Sequence, residues 1–154
     1  MSIIVLLLML LMHVIEDFHL QGIMAKMKCR QWWSDEIFDD INKHYPYLSP
    51  EVRNGMHYQT MRKYRNDYVI VLVLHAFEWA MFIHLPIIVL CFASGLSFTE
   101  DFWMIITISV LLNMVVHTYV DDAKANRRSI NLVTDQFIHI VQIIVTYIGI
   151  SVIL

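Results

Sequence analysis

Four long apolar stretches divide the chain, at residues 2–20, 68–93, 102–120 and 132–154, and a polar segment of residues 21–67 separates the first two. Each stretch can cross the roughly 30 Å hydrocarbon core of a bilayer as an α-helix. The first has no basic leader and no small-residue cleavage site, so it reads as a retained span rather than a secretory signal. The polar segment is not low-complexity. It carries two helix starts, Ser34 ahead of Asp35 and Glu36, and Ser49-Pro50-Glu51 with proline at the first helical position. The pattern predicts an all-α protein, a single integral membrane domain over residues 1–154 built as a four-transmembrane-helix bundle. The first connector supplies short interfacial helices that lie on the membrane, with Trp32 and Trp33 at headgroup level.

Composition supports the membrane assignment. Hydrophobic residues make up 58% of the chain and charged residues 16%, with a mean hydropathy of +0.56, too apolar for an ordinary soluble domain. Cys29 and Cys91 have no framework spacing and read as free thiols. There is no glycine-rich phosphate loop, serine nucleophile elbow or zinc-finger spacing, and nothing beyond a modest basic face points to nucleic acid. The placement of charge says more than its sum. All 11 Lys and Arg fall in the first and third connectors, whereas the second carries only Glu100 and Asp101. The positive-inside rule puts connectors one and three in the cytoplasm and both termini on the other side.

With that orientation, every span brings one histidine and one carboxylate to the same leaflet: His13 and Asp17, His75 and Glu78, His117 and Asp121, Asp135 and His139. A spacing of four turns through about 40° net on a helix, so such a pair shares a face. Gln21, Asn113 and Gln142 extend the same stripes, as does Lys124 if its helix persists. Glu16 is close enough in angle to compete with Asp17. His84 and His19 fall out of phase and are left out, and His44 and His57 read as solvated loop histidines. The outer half of the bundle reads as dry.

A carboxylate near the middle of a span costs roughly 2.5–3.5 kcal/mol on insertion scales, so four of them need compensation. A bound cation supplies it. Imidazole and carboxylate ligands suit Zn, Mn, Fe, Co or Ni, and helical bundles that present carboxylate and histidine one turn apart hold such ions. The expected ligands are His13, Asp17, His75, His117, Asp121, Asp135 and His139, for one or two divalent ions. The alternative is that these groups are interhelical hydrogen bonds that hold the bundle together. The 10 methionines are scattered and read as packing or lipid-facing side chains.

Three motifs, His13-x3-Asp17-Phe18-x2-Gln21 with Ala25 and Lys28 following, His117-x3-Asp121-x2-Lys124, and Asp135-Gln136-x2-His139, resemble a family of small bacterial integral membrane proteins known as domain of unknown function 3307. The resemblance covers the four spans and matches His75 to a histidine in the second. Glu78 has no counterpart in it, and residues 29–67 are longer than the usual connector. It implies a four-helix protein of a bacterial-type inner membrane with a shared His/Asp centre, and no established reaction.

The sequence is compatible with three functions. In the first, the protein is a membrane-embedded metal-dependent hydrolase. Asp17, Glu78 or Asp121 takes a proton from metal-bound water, and Gln21, Lys28, Lys124 and Gln136 bind a lipid headgroup, a lipid-linked phosphate or a nucleotide-like substrate. That reading expects a cavity at the seven ligands, opening toward Lys28 and Lys124 beneath residues 29–67. The second is a divalent-metal or proton transporter. The third is a non-catalytic membrane module that binds a protein partner through residues 29–67. Membrane lipids and a second copy of the chain are the other expected partners.

Overall fold

The computed structural model describes residues 1–95 and 99–153, and no strand occurs among the described residues. Leu96, Ser97 and Phe98 of the expected second connector and Leu154 of the expected fourth span lie outside them. Helix α1 (Ile3–Ile15) begins at Ser2, whose hydroxyl accepts the Ile4 N–H at 3.3 Å. It runs into a π-helical turn (Glu16–Leu20). Gly22, at φ +50°, then reverses the chain into the single turn α2 (Met24–Met27), a conformation that glycine adopts without a Cβ penalty. Next come α3 (Arg30–His44), α4 (Pro50–Lys63), and the long helices α5 (Asp67–Ala93), α6 (Glu100–Ala125) and α7 (Leu132–Ile153).

The π turn completes a first span over Ile3–Leu20, and with α5, α6 and α7 this gives four helices long and apolar enough to cross a membrane. By length and composition the chain is a membrane protein. α5 packs against α1 and α6, and α7 closes the ring against the same two helices, giving an up-down-up-down four-helix bundle. Its pattern is inverted relative to a soluble bundle. Leu7, Leu112 and Val152 stand exposed on the outside, while His75, Glu16, Asp135 and His139 are fully buried. Where the surroundings are lipid, burying apolar groups gains little, and it is the polar groups that must find partners inside. The half of the bundle away from α3 and α4 is filled by Val5, Met9, Ile83, Ile87, Phe102, Ile106, Ile143 and Ile150.

The connector carries the expected short helices: α3 and α4, of 15 and 14 residues, pair with each other as a helical hairpin. Ser34 is not an N-cap: α3 starts at Arg30, whose N–H is capped at 2.7 Å by Asn126 Oδ1 from the far end of α6. A cap supplied from so distant a residue leaves no local signal. Ser34 instead faces across the hairpin, where His57 Nε2 lies 3.2 Å from its hydroxyl and 3.0 Å from its carbonyl oxygen. The His57 ring also meets Phe38 edge-on, so His57 holds the hairpin rather than facing solvent. The Ser49-Pro50 start does open α4. α6 continues past residue 120 to Ala125 because its polar end is partnered: Asp121 by Lys28 and Asp122 by Arg127.

Candidate metal centre

At the α2–α3 end of the bundle, His13, Asp17, His75, His117, Asp121, Asp135 and His139 meet in one buried cluster. Asp121 is its hub. Its Oδ2 lies 2.6 Å from Lys28 Nζ, 3.3 Å from His75 Nε2 and 3.8 Å from His117 Nε2, and its Oδ1 lies 3.4 Å from His139 Nε2. His75 and His117 point their Nε2 atoms at each other across 3.2 Å. Behind His75, the buried Glu16 places Oε1 3.1 Å from Nδ1, at ion-pair distance but off the line of a hydrogen bond. Asp17 Oδ1 is 3.6 Å from His75 Nε2 and accepts from Gln21 Nε2 at 3.0 Å, while Asp17 Oδ2 accepts from Gln136 at 3.1 Å. Asp135 is paired with Lys124.

Two consecutive acids, Glu16 and Asp17, open the π turn, and both reach His75 from it. Trp79 seals the cluster on the other side. Its ring stacks on His117 at 4.2 Å between centroids, and His117 stacks in turn on His139 at 4.1 Å. The indole N–H donates to His13 Nδ1 at 2.9 Å. Indole is only a donor, so His13 Nδ1 is an acceptor there and His13 has just Nε2 to offer a ligand.

Two sets of side chains have ligand atoms within 4.8 Å of one another: Asp17, His75 and His117, and His117, Asp121 and His139. Ligand atoms on a tetrahedral ion held at about 2.0–2.1 Å stand about 3.3–3.4 Å apart. The separations of His75 Nε2 from His117 Nε2 and from Asp121 Oδ2, 3.2 and 3.3 Å, match that edge. Glu16, 3.1 Å from His75 Nδ1 but out of line for a hydrogen bond, stands on the side of the ring where carboxylate–histidine–metal centres carry their carboxylate. Four carboxylates, Glu16, Asp17, Asp121 and Asp135, gather here with two ammonium groups, Lys28 and Lys124. Several buried polar atoms also lack a hydrogen-bond partner, among them both Glu16 carboxylate oxygens, His75 Nδ1 and both ring nitrogens of His139. This His/Asp cluster could hold a metal ion.

The other expected site residues take different places. Gln21 and Gln136 border Asp17. Lys28 is buried and ion-paired, and Lys124 is committed to Asp135, so neither ammonium is a free anchor for a substrate. Glu78, expected as a catalytic carboxylate, is half-buried and makes no hydrogen bond or ion pair among the described residues, and the glutamate in the cluster is Glu16. The expected opening beside Lys28 and Lys124 is replaced by these ion pairs. A cleft of about 720 Å³ on this side is lined by Arg30, Arg127, Arg128 and their neighbours, and by none of the expected ligands.

The half of the bundle expected to be dry is not. His84 is fully buried, with Nε2 2.7 Å from Ser109 Oγ and Nδ1 2.7 Å from Ala80 O. Asn113 donates to Ser109 O at 2.9 Å and to Thr146 Oγ1 at 2.8 Å, and Gln142 donates to Asn113 O at 2.8 Å. His84 is out of phase with His75, as its spacing says, but it joins a second polar layer deeper in the bundle. The signal for it was the serine four residues before Asn113 on the α6 stripe. Comparison of the chain with protein-family profiles, curated protein sequences and solved structures found no match.

Proposed function

We propose that the protein is a membrane-embedded metal-binding protein, with one divalent transition ion held by His75, His117 and Asp121 and with Asp17 or His139 as the fourth ligand. The observation that carries this is the pair of facing Nε2 atoms, His75 and His117, 3.2 Å apart beside Asp121. Purified protein loaded with Zn or Co should hold one ion per chain, and X-ray absorption at the metal edge should report two or three imidazoles with oxygen and no sulfur. An ion ligated by Cys29 or Cys91, or no ion at all, would leave the cluster as a hydrogen-bonded packing device. The family resemblance supports a shared His/Asp centre and rests on the motifs alone.

Two uses of the ion are proposed, in order of support. Transfer of a cation or proton is favoured by the polar layer beyond the centre. From Lys124 to Ser109 along α6 is about 22 Å at 1.5 Å per residue, and buried polar side chains occur over that whole length. A groove of about 560 Å³ between α6 and α7, lined in part by Ser109, Asn113, Gln142 and Thr146, opens this layer toward the membrane. Hydrolysis of a headgroup or phosphate ester has as its entry only the half-buried Gln21 and Gln136 beside the buried Asp17 carboxylate. Proteoliposomes separate the two. Metal-dependent proton or metal flux that is lost in Asn113→Leu supports transfer, and metal-dependent release of headgroup or phosphate without flux supports hydrolysis.

The proposed orientation places α3 and α4 in the cytoplasm of a bacterial-type inner membrane. In a Cys29→Ser/Cys91→Ala background, Ser94→Cys should react with an impermeant maleimide on intact cells and Tyr47→Cys only after permeabilisation. The opposite pattern would put the centre at the outer face.

A further inference from the structure

The cleft between the α3–α4 hairpin and the end of α6 does not belong to the metal centre, and its chemistry is different. Its charged lining is Arg30, Arg127, Arg128 and Asp122, with His57 and Tyr68 among the remaining walls. Arg127 is already committed: its Nε lies 3.0 Å from Asp122 Oδ2, its Nη2 donates to Tyr119 O at 2.9 Å, and its guanidinium sits 4.1 Å over the Tyr119 ring. That pair uses up the one carboxylate of the cleft. The side chains of Arg30 and Arg128 have no hydrogen-bond or ion-pair partner among the described residues, so two positive charges face one concave space without a counterion. Arg128 holds its place at φ +52°, a left-handed conformation that disfavours side chains with a Cβ. Tyr68 lies in the first turn of α5 and Ala125 ends α6, which puts the cleft at the ends of two membrane-spanning helices, the level of bilayer headgroups.

We infer that this cleft binds a phosphate group, held by the guanidiniums of Arg30 and Arg128. Planar guanidinium forks match phosphate oxygens two at a time, whereas a carboxylate partner would already be pairing them. A volume of about 720 Å³ takes a phosphate with the polar part of a lipid headgroup or of a small soluble ester. The two sources share this chemistry and differ in whether the phosphate arrives with the membrane.

The test uses the full chain in nanodiscs. In the first arm, native mass spectrometry compares retention of phosphatidylglycerol with that of phosphatidylcholine. In the second, inorganic phosphate is titrated into protein in phosphatidylcholine nanodiscs by calorimetry. Two variants are used, Arg30→Gln/Arg128→Gln, and Arg128→Gly, which removes one guanidinium while relieving the left-handed backbone, so that it keeps the fold even if the double variant loses it. Selective retention of phosphatidylglycerol that falls about tenfold or more in the variants supports a lipid phosphate. No lipid selectivity, with phosphate binding that is lost in the variants, supports a soluble phosphate. Retention or binding equal in wild type and Arg128→Gly, or absent in wild type in both arms, overturns the inference.

Discussion

His75→Ala and His117→Ala are each expected to abolish stoichiometric metal binding while leaving a helical protein. Both rings end on the same point, with Nε2 atoms 3.2 Å apart, so removing either takes one of the two facing imidazoles and leaves three of the four proposed ligands. Glu16→Gln behaves differently. Its carboxylate stands behind His75 at 3.1 Å from Nδ1 and orients the ring without reaching the ion, so the variant should still bind one ion per chain but about 10–100-fold more weakly. Competition with a calibrated chelator on each purified variant measures this. If His75→Ala and His117→Ala bind as tightly as wild type, the cluster is not the metal site. If Glu16→Gln loses the ion outright, Glu16 is a ligand rather than a support.

The second large effect concerns Lys28. Its ammonium is buried and sits 2.6 Å from Asp121 Oδ2, the oxygen that also faces His75. Removing one member of a buried pair leaves the other uncompensated, so Lys28→Met should destabilise the metal-free protein by about 3–5 kcal/mol. The same change frees the Asp121 oxygen for an ion. Added Zn should therefore bind the variant more tightly than wild type and restore most of the lost stability, because binding to the folded state alone stabilises it in proportion to the logarithm of ligand over Kd. Denaturant-induced unfolding in detergent, with and without Zn, reads both quantities. A variant that is destabilised and not rescued would mean that Lys28 supports packing and does not compete with a cation. A variant as stable as wild type would show that the buried pair contributes nothing net.

Spacing along the chain decides which groups of the centre are legible in the sequence. His117 and Asp121, and Asp135 and His139, were visible because a separation of four on a long apolar helix admits one geometry, and apolar flanks leave buried polar groups few alternatives to one another. His13 and Asp17 share that spacing, but Glu16 could be placed only by the tertiary structure. Helical phase treats Glu16 and Asp17 as rivals, yet both reach His75 from a π turn that no residue pattern marks. Glu78 shows the reverse. It lies three residues after His75, close enough in phase to be expected in the cluster, yet it is turned to the edge of the bundle, and the position inward of it is taken by Trp79.

The sequence by itself determined the four helices, their membrane-spanning length and the face of each that carries polar groups. Those follow from local composition and from the cost of leaving polar groups in lipid. It left undecided where the lysines end, because Lys28 and Lys124 look the same in a linear pattern whether they face solvent or a carboxylate. The distinction depends on Gly22 reversing the chain so that Lys28 lies beneath Asp121, and on α6 persisting until Lys124 stands beside Asp135. It also left undecided the second polar layer, since the contact of His84 with Ser109 joins two different helices and is set by how α5 and α6 rotate against each other. Long-range pairing of this kind has no period along the chain, and only the packed bundle, in which each buried polar group must find its partner, specifies it.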